Sequence, residues 1–225
     1  MKNNIVIGIE GLVGSGKTSI CKNLLNYIPN SIVLHAGNIY RAITYQIVKE
    51  KISPEQLTNI DLKNLFEKFE IEIKIENQET VVYAHGRKIN EEDLQSPENS
   101  LAVSKISGIA NNTNAYKIVK NYIDTYKKDY NVIFSGRDTK KIYPEIDYHF
   151  FITADIDKRV EWKANQYDEE NISKEEIKQN ILKRDALQEE TGYYMTYSDT
   201  IIIDVSNSTS IDDSTKQVLN HILKG

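Results

Sequence analysis

The chain has 225 residues, of which 40% are hydrophobic and 27% charged, and a formal net charge of −5. This balance fits one soluble globular domain, long enough to bury a core, with small inserted lobes. It disfavours a nucleic-acid partner, which calls for a basic surplus, but not a small phosphate held by a few local cations.

Met1-Lys2-Asn3-Asn4 leads into Ile5-Val6-Ile7, a run too short for a signal-peptide core or a membrane span. We therefore expect a cytoplasmic protein without a membrane partner. Five short apolar runs read as buried strands: Ile5–Ile9, Ser31–Leu34, Val132–Phe134, Tyr148–Ile152 and Thr200–Ile203. Helices fall between them. One runs from Lys17 to about Tyr27, and one starts at Ser96-Pro97-Glu98, a cap followed by proline. Another starts at Ser173, where Glu176 completes a capping box, and the last starts near Ser210, with Asp213 at the equivalent position. Strands alternating with helices predict an α/β fold with a mostly parallel sheet covered on both faces. Residues 70 to 90 break the rhythm. Ile71-Glu72-Ile73-Lys74-Ile75, Val81-Val82-Tyr83 and Gly86-Arg87-Lys88-Ile89 predict an antiparallel meander set into the core. Cys21, the single cysteine, lies among Ile20, Leu24 and Leu25 and reads as a small core residue. No cysteine–histidine cluster suggests zinc.

The first strand runs into Gly11-Leu12-Val13-Gly14-Ser15-Gly16-Lys17-Thr18, a complete G-x-x-x-x-G-K-[ST] pattern. Glycines let consecutive backbone N–H groups turn toward one phosphate cluster, and the following helix adds its N-terminal partial charge. Lys17 is placed to reach the β- and γ-phosphates, and Thr18 to offer a hydroxyl to Mg²⁺. A second cluster, His35-Ala36-Gly37-Asn38-Ile39-Tyr40-Arg41, closes the second strand. A third, Ser135-Gly136-Arg137-Asp138, closes the strand at Val132–Phe134. Loops at the carboxyl ends of parallel strands are where open α/β sheets bind ligands. Arg41 and Arg137 are candidate phosphate clamps, and Asp138 could accept from an amino group or a hydroxyl. Taken singly, Arg41 is as readily a surface arginine at a helix start, and Arg137-Asp138 a local pair in a tight turn. Lys140 and Lys141 read as a solvated face or as added positive field.

In this order, the three clusters resemble those of bacterial cytidylate kinases, which show GPxGxGKGT, then DSGAxYR, then GRDxGxxxFPxA. Gly11–Ser19, His35–Arg41 and Gly136–Pro144 are the matching stretches, and the meander matches that family's insert. The resemblance spans nearly the whole chain and marks a divergent member. It implies a P-loop kinase with a five-stranded, mostly parallel sheet flanked by helices, a small antiparallel β insert and a helical lid. The expected layout is a single domain over 1–225, a monophosphate-binding lobe over about 55–99 and a lid over about 157–185. It also implies ATP-dependent phosphorylation of a nucleoside monophosphate, CMP or dCMP first, by a cytoplasmic monomer using Mg²⁺. Gly11, Leu12, Val13, Gly14, Ser15, Gly16, Lys17, Thr18 and Ser19 would hold ATP, with Thr18 on the metal. Tyr40, Arg41, Ser107, Arg137 and Asp138 would hold the acceptor. Lys17, Arg137, Asp138, Arg159 and Arg184 would carry the transfer.

The chain departs from the family pattern at several of these places. His35-Ala36 stands for Asp-Ser, and Ser135 stands for an aspartate at the strand end. The arginine expected near Tyr116 is absent, with Lys117 as a possible substitute. Arg184-Asp185 is followed by Ala186-Leu187-Gln188-Glu189-Glu190-Thr191, without the family's further Asp and Arg. The lid keeps Arg159 but has Glu161-Trp162-Lys163 where arginines are usual. Two other readings stay open. Gly8-Ile9-Glu10-Gly11 also fits a deoxynucleoside or thymidylate kinase with Glu10 as base. The thinned lid also fits a nucleotide-binding protein that has lost turnover.

Overall fold

A computed structural model describes residues 4–53, 62–96, 99, 102–103, 112–165 and 173–223. In chain order the strands and helices are β1 (Val6–Gly11), α1 (Lys17–Leu24), β2 (Ser31–His35), α2 (Ala36–Lys49) and α3 (Leu62–Lys68). The meander follows as β3 (Glu72–Glu76), β4 (Glu79–Ala84) and β5 (Arg87–Lys88), then α4 (Glu91–Gln95) and α5 (Asn112–Tyr126). The second half holds β6 (Asn131–Ser135), α6 (Thr139–Ile142), β7 (Tyr148–Thr153), α7 (Ile156–Ala164), α8 (Lys174–Glu190), β8 (Thr200–Asp204) and α9 (Ile211–Ile222).

The five predicted apolar runs form one parallel layer in the order β2-β6-β1-β7-β8. β1 lies in the middle, and all six of its residues are buried. Alternation along it splits the core, as period-two geometry requires. Ile5, Ile7 and Ile9 face Ile20, Cys21 and Leu24 of α1 and Val218, Leu219 and Ile222 of α9. Val6 turns to the opposite face, with Phe134, Val119 and Ile123. Cys21 is a core residue, fully buried.

The sheet is larger than the five strands expected. The meander is antiparallel within itself, but β4 also pairs with β2 in parallel through Val33 and Glu79. Val33 N donates to Gln78 O at 2.8 Å, and His35 N donates to the Thr80 hydroxyl at 3.1 Å. Glu79 further accepts from the His35 ring at 3.1 Å and pairs with Lys22 at 3.0 Å. The meander thus extends the core sheet beyond β2. Its apolar side packs on Ala42, Ile43 and Ile47 of α2 and on Leu65 and Phe69.

The helix starts follow the caps read from sequence. Ser173 and Glu176 form a reciprocal capping box. Ser210 accepts from Asp213 N at 3.1 Å, and Ser96 accepts from Asn99 N at 3.2 Å, although Pro97 and Glu98 lie outside the described residues. No described helix is long and apolar enough to cross a membrane.

Candidate active site

β1 delivers the chain to the glycine-rich loop at the carboxyl edge of the sheet. Gly11 has φ +146°, and a Cβ there would lie 2.1 Å from Ile152 O, so the first glycine lets the loop leave β1 flush against β7. Gly14 and Gly16 adopt left-handed φ of 78° and 81°, which a residue with a Cβ reaches only with strain. Gly16 caps α1 without a side-chain bond, so the helix's first amides point into the loop. Lys17 Nζ donates to Gly11 O at 2.9 Å and Leu12 O at 2.6 Å. Burial, then the charge of Arg137, lowers the Lys17 ammonium to about 8. Thr18 and Ser19 are exposed on the first turn.

Two side chains from α7 and α8 grip the loop backbone. Asp185 Oδ1 accepts from Val13 N at 2.9 Å, and Arg159 donates to Val13 O at 3.0 Å. Arg159 also pairs with Asp185, which accepts from Tyr194 as well. Arg159 is only 5% exposed. It lies beneath the loop as a structural cation, where the sequence suggested an arginine free to close over phosphate. Val160 and Ile181 complete the contact by packing with Val13.

Arg41, on the second turn of α2, donates to Leu94 O at 3.0 Å. Burial lowers its pKa from the usual value, with Arg184 and Arg137 repelling it further. Arg137 follows β6 and lies over the ring of Tyr193, with Cζ 5.3 Å from the ring centre. Its pKa is also lowered, by burial and then by Arg184. Lys17 feels the same two arginines. Lys17, Arg41, Arg137 and Arg184, from four separate segments, therefore share one electrostatic neighbourhood.

Asp138 adopts a left-handed φ of 53° at the start of α6 and is 5% exposed. Tyr116 donates to Asp138 Oδ2, and Lys141 lies 3.1 Å from Oδ1. Burial and then this bond raise the Tyr116 phenol. Among the described residues the buried Tyr40 hydroxyl has no hydrogen-bond partner, and burial raises its pKa, with Tyr193 and Asp138 adding to the shift. Neither lysine after Asp138 is a free cation, since Lys140 pairs with Asp199 and Lys141 with Asp138. Ser107 lies outside the described residues. Lys117 is exposed, and Tyr116 is the residue of that helix that reaches Asp138. Sequence reasoning did not find Tyr193 or Tyr194. The only signal was the pair of aromatics after Gly192.

Ser135, the position without the strand-end carboxylate, lies beside Cys21, whose thiol burial pushes up to about 12. Glu10 is also occupied. It accepts from Thr139 N at 2.6 Å and the Thr139 hydroxyl at 2.7 Å, with His149 Nε2 at 3.2 Å. This buried junction ties β1, α6 and β7 together.

The family model "Cytidylate kinase" matches residues 7–224. A cytidylate kinase of Clostridium botulinum is 29% identical over 97% of this chain and 98% of its own length. One from Aquifex aeolicus is 29% identical over 96% and 95%, and one from Oceanobacillus iheyensis is 26% identical over 100% and 96%. The chain belongs to the cytidylate kinase family and is an enzyme of the nucleoside monophosphate kinase type.

Proposed function

We propose that the enzyme moves the γ-phosphoryl group of ATP to a pyrimidine nucleoside monophosphate, with CMP or dCMP as the first acceptor. The observation that carries this reading is the convergence of Lys17, Arg41, Arg137 and Arg184 on one neighbourhood beside the glycine loop. Two phosphate-bearing ligands that meet there would relieve the mutual repulsion of those cations.

On this reading Lys17 and the loop amides hold the donor, Arg41 and Arg137 hold the acceptor phosphate, and Asp138 orients the organic part of the acceptor. Arg184 draws in the transferring group. An acceptor phosphate oxygen forms the new P–O bond as the bond to the ADP leaving group breaks. No general base is needed, because the acceptor oxygen is already anionic. Preorganised charge and position do the work. Helices α7 and α8 act as the lid, and the 55–99 segment as the acceptor lobe.

The residues suit a metal that arrives with the nucleotide. Among the described residues no group of three or more His, Cys, Asp or Glu side chains forms a metal cage, while the Thr18 hydroxyl is exposed at the loop. Mg²⁺ typically takes one or two protein ligands alongside substrate phosphates. When bound, it neutralises charge on the β- and γ-oxygens.

A free nucleoside as acceptor is disfavoured, because the Glu10 carboxylate that would serve as base is buried and engaged by Thr139 and His149. The test is ³¹P NMR of enzyme, ATP, Mg²⁺ and CMP. Growth of CDP and ADP resonances supports the reading, and unchanged CMP with intact ATP counts against it.

A further inference from the structure

We propose that Tyr193 is the positioning residue for the acceptor-binding arginine, and that through it the C-terminal end of α8 fixes the plane of the Arg137 guanidinium. This rests on the reading of Arg137 as an acceptor clamp.

Arg137 is the exposed residue of a turn after β6 whose Gly136 is half-buried and whose Asp138 is buried, and among the described residues no carboxylate forms an ion pair with it. A long side chain so placed has many rotamers, and binding an anion in one of them has an entropic cost. The Tyr193 ring supplies the missing constraint at 5.3 Å. A cation–π contact of this kind takes up no N–H donor, so the guanidinium fork, the edge a phosphate needs for bidentate contact, stays open. A carboxylate partner would instead compete for that edge. Tyr193 therefore orients Arg137 without competing for its ligand.

Tyr193 is itself held by backbone geometry. Gly192 takes a left-handed φ of 73° at the end of α8, Gly192 N donates to Glu189 O at 3.0 Å, and Tyr193 N donates to Gln188 O at 2.9 Å. Gln188 is buried. The ring thus follows α8, which also carries Arg184 and the loop-docking Asp185. Acceptor clamp, lid helix and glycine loop become one mechanical unit.

The test uses the full chain with ¹⁵N-arginine. The Arg137 Nε–Hε cross-peak, assigned by its loss in Arg137→Lys, is followed in wild type, Tyr193→Phe and Tyr193→Leu, and each protein is titrated with inorganic phosphate and assayed with CMP. An upfield, ring-shielded peak is expected in wild type and Phe, and a downfield move in Leu. Leu is expected to weaken phosphate binding and raise the CMP KM about five- to tenfold, with the ATP KM unchanged and Phe near wild type. A peak indifferent to Leu, or phosphate binding equal in all three, would overturn the proposal. If CMP is never phosphorylated while the peak and phosphate arms behave as expected, the assigned acceptor fails and the positioning role stands.

Discussion

Asp185 Oδ1 accepts the backbone amide of Val13 at 2.9 Å, so a carboxylate on α8 is docked onto the glycine loop. The same carboxylate neutralises buried Arg159, which holds the Val13 carbonyl. Both polar groups of one loop residue are therefore fixed by side chains from α7 and α8.

Asp185→Ala strands the Arg159 cation and the Val13 amide. Breaking such a pair, which is buried on one side and partly exposed on the other, should destabilise the protein by about 2–3 kcal/mol. At about 2–4 °C per kcal/mol for a chain of this size, Tm should fall by roughly 4–12 °C. Asp185→Asn, which can still accept from Val13, should lose less. Calorimetry showing Ala indistinguishable from wild type would contradict the docking.

Lys17 gives a pH dependence of defined sign. Its pKa is lowered from 10.5 to about 8 by burial and by Arg137. Between those values the unfolded chain holds the extra proton, so this group's destabilising effect is full below about 8 and is relieved as pH rises toward 10.5. Triphosphate binding behaves oppositely, because it needs the ammonium. ATP affinity, read by calorimetric titration, should fall as pH passes about 8, whereas the weak residual binding of Lys17→Met should stay flat. Parallel curves for both proteins would remove Lys17 from the donor site.

Arg41 and Arg137 are assigned to the acceptor. A charge-assisted clamp is worth about 1.5–3 kcal/mol, so Arg41→Ala or Arg137→Ala should cut kcat/KM for the monophosphate by roughly 10- to 150-fold. Affinity for ATP should hardly change. Comparable loss of ATP binding would place these arginines on the wrong ligand.

Among the described residues the buried Tyr40 hydroxyl finds no partner, an arrangement that lowers stability and that a ligand can repair. Tyr40→Phe is expected to leave Tm unchanged or raised, while lowering acceptor kcat/KM about three- to tenfold. A lowered Tm with unchanged acceptor kinetics would show the hydroxyl to be structural.

Much of the framework was legible because local signals and burial agree. The five core runs are strongly apolar, and Ser173 with Glu176 announces α8 through its own backbone chemistry. The glycine loop was legible because left-handed φ at Gly14 and Gly16 demands that residue type. Contacts between distant segments were not. The parallel joining of β4 to β2 depends on Glu79 meeting His35 and Lys22 across the chain. Arg159 read as a phosphate-facing lid arginine because sequence cannot show that Asp185 neutralises it beneath Val13. Tyr116 and Tyr193 carried no motif, and their approach to Asp138 and Arg137 exists only in three dimensions.

The central claim is that a nucleoside monophosphate, pyrimidine first, accepts the phosphoryl group. It is tested most directly by kcat/KM for CMP, dCMP, UMP, AMP, dTMP and the free nucleosides, measured with ATP and Mg²⁺ under one condition. Among the described residues, few buried polar groups lie near Arg41 and Arg137 beyond Asp138 and the phenols, and strong discrimination arises when such groups are left unpaired. The account predicts turnover of CMP and dCMP, a shallow fall toward UMP, and no turnover of nucleosides. Phosphorylation of a free nucleoside in preference to every monophosphate, or no acceptor-dependent ADP release, would contradict it.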